Sequence, residues 1–115
     1  MENRYSLLFL IIKHGFVETA MSAAREEGAR GGTVFAARGT GNFYIESFLG
    51  ATIEPEKEIL IILTPKEDRS RIMKSIYKAV GLDKEGQGLL FALPVEEVIG
   101  SFNLGKSEEK PSDDN

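Results

Sequence analysis

Apolar residues fall along this chain in two rhythms. Leu7 to Ile12 is an unbroken apolar run closed by Lys13-His14-Gly15, and it predicts a buried strand over 5–13. Phe16, Val17, Ala20, Met21 and Ala24 then recur at helical spacing, with Glu18, Arg25 and Glu26 on the other side. That predicts a helix over 16–27, stopped by Gly28. A second strand follows over 33–38 and a third over 58–63. Between the third strand and the next helix, Thr64-Pro65-Lys66-Glu67 has the form of a capping box, with Thr64 as the cap and Pro65 in the first turn. Ile72, Met73, Ile76, Tyr77 and Val80 form the apolar face of that helix, and Gly81 ends it. Residues 82–87 are a polar loop, 88–93 a fourth strand and 94–99 a short closing segment.

The order βαββαβ predicts an α+β, ferredoxin-like sandwich: an antiparallel four-stranded sheet with two helices on one face. Residues 1–104 form that domain, and the polar stretch 105–115 is expected to be a disordered tail. The pattern breaks down between 40 and 57. Residues 42–45 are compatible with a short strand, Phe48-Leu49 has no evident partner, and Glu54-Pro55-Glu56 reads as a turn. Aromatic residues in a loop of this size suit either partner binding or packing on a neighbouring subunit.

Two helices cover only one face of such a sheet. The runs Leu7-Leu8-Phe9-Leu10-Ile11-Ile12 and Ile59-Leu60-Ile61-Ile62-Leu63 are apolar at successive positions, so both faces call for burial. A homo-oligomer with sheets facing a shared axis supplies the missing cover.

Composition narrows the chemistry. The 115 residues carry a net charge of −4 with a pI near 5.1, which argues against nucleic-acid binding. With no cysteine there is no disulfide, zinc–thiolate site or thiol catalysis, and a reducing cytoplasm is the expected compartment. The longest apolar run is too short to span a membrane and lacks a signal-peptide cleavage site. His14 is the single histidine, the acids show no calcium-loop spacing, and no nucleophile elbow is present. Glu96-Glu97 reads as a solvated face, and an enzyme is not expected.

Two glycine turns remain. Gly39-Thr40-Gly41 follows the strand that ends on Arg38, and Gly86-Gln87-Gly88 precedes the fourth strand. Such turns can offer backbone N–H groups to an anion, with Arg38, Lys13, Lys66 and Lys84 as cations nearby in sequence. Neither turn is a P-loop, since no Gly-Lys-Ser or Gly-Lys-Thr follows.

With these residues in view, the chain resembles the PII signalling family (nitrogen regulatory protein P-II) over roughly residues 5–100. Leu7 to Phe16 is similar to the family's first strand and entry into helix one, and Gly31 to Gly41 to its second strand at the root of a long loop. Residues 79–99 are similar to its B-loop and last strand. The resemblance implies a homotrimer that binds adenine nucleotides in clefts between subunits and grips a target protein with the long loop. It implies no required cofactor, with ATP, ADP or AMP as effectors. Carried over residue by residue, the ligand side is Gly31, Thr33, Arg38, Gly39 and Gly41, together with Gly86 and Gly88. The partner loop carries Phe43, Tyr44 and Phe48.

The departures are specific. The family's Gly-Asp-Gly-Lys is Gly86-Gln87-Gly88-Leu89 here, so a phosphate-binding lysine is lost. Its C-terminal Arg-Ile-Arg-Thr-Gly-Glu is replaced by Gly100-Ser101-Phe102-Asn103, which removes two more charge-assisted contacts. Asn42-Phe43-Tyr44 offers no glutamine for oxoglutarate sensing, and Phe48-Leu49-Gly50-Ala51 stands where nitrogen-signalling members have Tyr-Arg-Gly-Ala. The expected function is a divergent PII-like regulator that binds a small anionic effector and signals through 42–56. Arg38→Ala or Gly88→Val is expected to abolish binding and leave the trimer intact. The competing readings are a ligand-free interaction module with a vestigial cleft and a trimer of the related ion-tolerance type.

Overall fold

The computed structural model describes residues 4–38, 46–48, 51–53 and 56–100. The chain runs β1 (Tyr5–Lys13), α1 (Val17–Glu26), β2 (Thr33–Arg38), β3 (Glu46–Phe48), β4 (Ala51–Ile53), β5 (Glu56–Pro65), α2 (Arg69–Val80) and β6 (Gly88–Val95). Four strands form one sheet in the order β2-β5-β1-β6, every neighbouring pair antiparallel. Strands β3 and β4 form a separate hairpin between β2 and β5. The expected ferredoxin-like α+β sandwich is therefore what the chain adopts. The short strand considered at 42–45 and the tail at 105–115 lie outside the described residues.

The period of two in β1 sorts its side chains. Ser6, Leu8, Leu10 and Ile12 are buried under the helices, while the residues between them are half-buried on the opposite face. Leu60 and Ile62 of β5 join the helix side. From above come Ala20, Met21 and Ala24 of α1 and Ile72, Ile76 and Val80 of α2, at helical spacing. Each large aliphatic chain buried here contributes roughly 1.5–3 kcal/mol.

The other face of the sheet is open. Phe9 stacks on Phe91 across the β1–β6 pair with ring centroids 5.0 Å apart, and Phe35, Leu89 and Leu93 are 45%, 60% and 45% exposed. The sequence expectation of a second apolar face holds for the single chain.

Several boundaries differ from expectation. Strand β5 is longer than 58–63 because Tyr5 and Ser6 keep pairing with Pro65 and Thr64, and the Lys66 N–H donates to the Arg4 carbonyl at 2.9 Å. That pairing overrides the capping box. Thr64 is a buried strand residue whose hydroxyl donates to the Pro65 carbonyl at 3.3 Å. Pro65 is extended (φ −59°, ψ 143°), and a 3-10 turn at Lys66–Asp68 leads into α2 with no side-chain cap at Asp68. Strand β6 continues through Pro94 to Val95, since an edge strand tolerates the missing N–H. Gly81 does end α2, in the left-handed conformation (φ 70°, ψ 47°).

Arg71 locks the two helices together. Its guanidinium donates to the Glu27 carbonyl at 2.8 Å, to the Glu27 carboxylate at 3.0 Å and to Asp68 at 3.2 Å. A cation at the C-terminal end of α1 also meets the negative end of that helix.

Candidate functional site

The sheet register decides which candidate residues share a place. Arg38 closes β2 opposite Glu56, Lys57 lies opposite Lys13, and Ile12 lies opposite Gly88. One end of the sheet thus carries the last residue of β2, the start of β5, the end of β1 and the start of β6. Arg38 and Gly88 sit on the two outer strands at that end, three strand spacings or roughly 14 Å apart across the sheet.

Around Arg38 lies a pocket of about 450 Å³, lined by His14, Ala36, Ala37, Arg38, Glu56, Lys57 and Glu58. Its wall is stitched by the backbone. The His14 N–H donates to the Glu56 carbonyl at 3.1 Å, and the Gly15 N–H to the Glu58 carboxylate at 3.2 Å. His14 Nδ1 is 3.6 Å from the other oxygen of Glu58. The only histidine therefore belongs to this charged rim. Among the described residues no cluster of His, Asp and Glu could hold a metal ion.

Gly31 and Thr33 stand elsewhere. Thr33 opens β2 opposite Ile61, five residues from Arg38, or roughly 17 Å along an extended strand. A Cβ on Gly31 would meet nothing within 4 Å. Its neighbour Gly32 is the constrained position, where a Cβ would come within 2.8 Å of both the Ile61 carbonyl oxygen and Leu60 Cδ1. Gly39, Gly41, Phe43 and Tyr44 lie outside the described residues, and of Phe48 only the backbone, in β3, is described. Among the sequence-nominated cations, Lys66 lies at the opposite end of the sheet beside Arg4. Lys13 and Lys84 do lie beside the 86–88 turn, through hydrogen bonds from the Lys13 N–H to the Gln87 carbonyl and from the Gln87 N–H to the Lys84 carbonyl.

The 86–88 turn holds a residue that sequence reading did not single out. The Gln87 side chain is buried, and its Nε2 donates to the Val80 carbonyl, the last of α2. It faces inward as the closing partner of a helix end. Gly88 is fixed by close approach, because a Cβ there would run into the Ile11 carbonyl oxygen and crowd Leu82. Gly88→Val is therefore expected to damage the β1–β6 pairing itself, so the separation of binding from assembly anticipated for it does not follow. Beyond this turn a second groove of about 450 Å³ opens between α2 and β6, lined by Ser70, Met73, Lys74, Tyr77, Leu82, Gly88, Leu89 and Leu90.

A βαββαβ sandwich with its outer strands carrying a cation and a glycine turn at one end is a describable arrangement, and a match outside the molecule gives it a family. The family model for nitrogen regulatory protein P-II matches residues 6–101. The chain belongs to the P-II family. P-II proteins are regulatory. The crystal structure of Arabidopsis thaliana PII bound to citrate is similar, with a TM-score of 0.68 at 23% identity, covering 86% of this chain and 84% of that one. At that identity the likeness shows the shared fold. No curated protein matches the chain.

Proposed function

We propose that this P-II protein is a regulatory trimer that binds a small anionic effector between subunits. The effector lies between the Arg38 edge of one subunit and the Gly86–Gly88 edge of the next. The observation that carries the reading is that both features sit at the same end of the sheet but on opposite outer strands. A second copy laid beside the first brings them together, and the open apolar face gives the copies a reason to associate. The citrate of the Arabidopsis protein supports a small polyanion as ligand class. Adenine nucleotides, ATP, ADP or AMP, are the first candidates, with no cofactor required. The loop at 42–56 contacts a target protein, in the cytoplasm. No described helix is long and apolar enough to cross a membrane.

One observation favours a second reading, a protein-interaction module whose cleft no longer binds. Gln87 spends its side chain on α2, and Leu89 stands where the resembled motif has a phosphate-binding lysine. A thermal-shift series with ATP, ADP, AMP and citrate separates the two. A saturating effector stabilises the folded state by about 2.7 kcal/mol at a hundredfold excess over its dissociation constant. The effector reading expects a shift with at least one of these ligands and its loss in Arg38→Ala. Absence of any shift favours the interaction module.

A further inference from the structure

We propose that the groove between α2 and β6 binds a small amphiphilic monocarboxylate, an acid of the medium-chain fatty-acid class. The groove measures about 450 Å³, within the range of roughly 300–1,000 Å³ typical of small-molecule sites. Its floor is apolar. Met73, Leu82 and Leu90 line it and also pack against the buried core, so the groove reaches down to the edge of that core. Tyr77 forms a further wall and is 47% exposed, a large ring left in water. The space runs along α2 from Ser70 to Tyr77, roughly 10 Å of helix. A short alkyl chain suits both that length and that floor.

The polar side of the groove selects the head group. Ser70, Lys74 and Lys78 stand four residues apart on one ridge of α2, neighbours on successive turns. Ser70 and Lys74 line the groove, and Lys78 follows one turn on. Among the described residues none of these three side chains has a hydrogen bond or ion pair, whereas Ser75 donates to the Ala23 carbonyl at 3.2 Å and Arg71 is committed to Glu27 and Asp68. Within α2 stand Arg69, Arg71, Lys74 and Lys78 and no acid. The first acid after the helix, Asp83, shares the space beside Gly81 with Lys84. A carboxylate is the group this ridge lacks. A hydroxyl and an ammonium one turn apart can serve its two oxygens, and a single lysine in the lining matches one charge better than the several of a phosphate chain. The groove also borders Gly88, so its ligand lies against the 86–88 turn.

Sodium octanoate, titrated below its micellar concentration into the full chain with isotope-labelled methionine methyls, tests this by NMR. Met73 lines the groove and Met21 is buried in the core, so one methyl reports on the site and the other on the fold. Octanoate should move the Met73 resonance saturably and leave Met21 in place. Lys74→Gln, at an exposed position, should weaken binding at least about tenfold through loss of one charge-assisted contact, and Lys74→Arg should retain it. Octanol, with the same apolar body and no charge, should bind at least about tenfold more weakly than octanoate. Arg38→Ala should leave the Met73 response unchanged, because the site stands apart from the effector cleft. The proposal is overturned by the absence of a saturable shift, by equal affinity for octanoate and octanol, or by unchanged affinity in Lys74→Gln. Loss of the response in Arg38→Ala overturns it by assigning octanoate to the effector cleft. A Met73 resonance that shifts on dilution alone, without octanoate, also overturns it, because a neighbouring copy then fills the groove.

Discussion

Gln87→Ala tests whether the 86–88 turn is built to serve α2 or left to serve a ligand. The wild-type amide is buried and donates to the Val80 carbonyl, at a helix end whose last residue is 3% exposed. Removing the donor deletes one hydrogen bond, worth about 1 kcal/mol, and leaves a buried carbonyl unpaired, at about 1–3 kcal/mol for the orphaned group. The two estimates overlap, and about 2 kcal/mol in total is expected. For a domain of this length roughly 4 °C of melting temperature accompanies each kcal/mol, so the variant should melt about 8 °C lower. Gln87→Glu keeps the shape but offers an acceptor to an acceptor and adds negative charge at the negative end of the helix. It should be at least as destabilised. Calorimetry or circular dichroism at one fixed protomer concentration, without ligand, measures both, since assembly contributes by mass action. Melting of both variants within a degree of wild type would refute the inward role of Gln87.

Gly88→Val and Gly32→Ala should both lower stability, by roughly 1–3 kcal/mol or more, since each new side chain runs into a strand carbonyl oxygen, and at Gly32 into the buried Leu60 side chain as well; urea unfolding reads this directly. Arg71→Ala should cost about 1 kcal/mol. Its guanidinium is half exposed, so the ion pairs are screened, and the contact with the Glu27 carbonyl carries most of the effect. Leu93→Asp, at a position 45% exposed on the open sheet face, should leave the protomer folded and abolish assembly, read by light scattering with circular dichroism. Retention of the oligomer by that variant would show that the copies meet elsewhere.

Much of the fold was legible in sequence because it is written in local periodicity. The unbroken apolar run of β1, the helical spacing of α1 and α2 and the stop at Gly81 need only neighbours a few residues away, whereas which face of β1 lies under the helices was decided by packing. The demand for a second covered face was also legible, from apolar residues at successive positions of two strands. Other features depended on partners distant in sequence. Thr64 has the local form of a helix cap, but pairing with Ser6 from the far end of the chain keeps it in a strand. Gly31 and Gly32 are indistinguishable as letters, and only the position of β5 makes one of them obligatory. Gln87 points inward because α2 ends beside it, and Arg38 and Gly88 share one end of the sheet because two intervening strands put them there. Short-range pattern is fixed by the geometry of helix and strand, whereas the company each side chain keeps is fixed by how those elements pack.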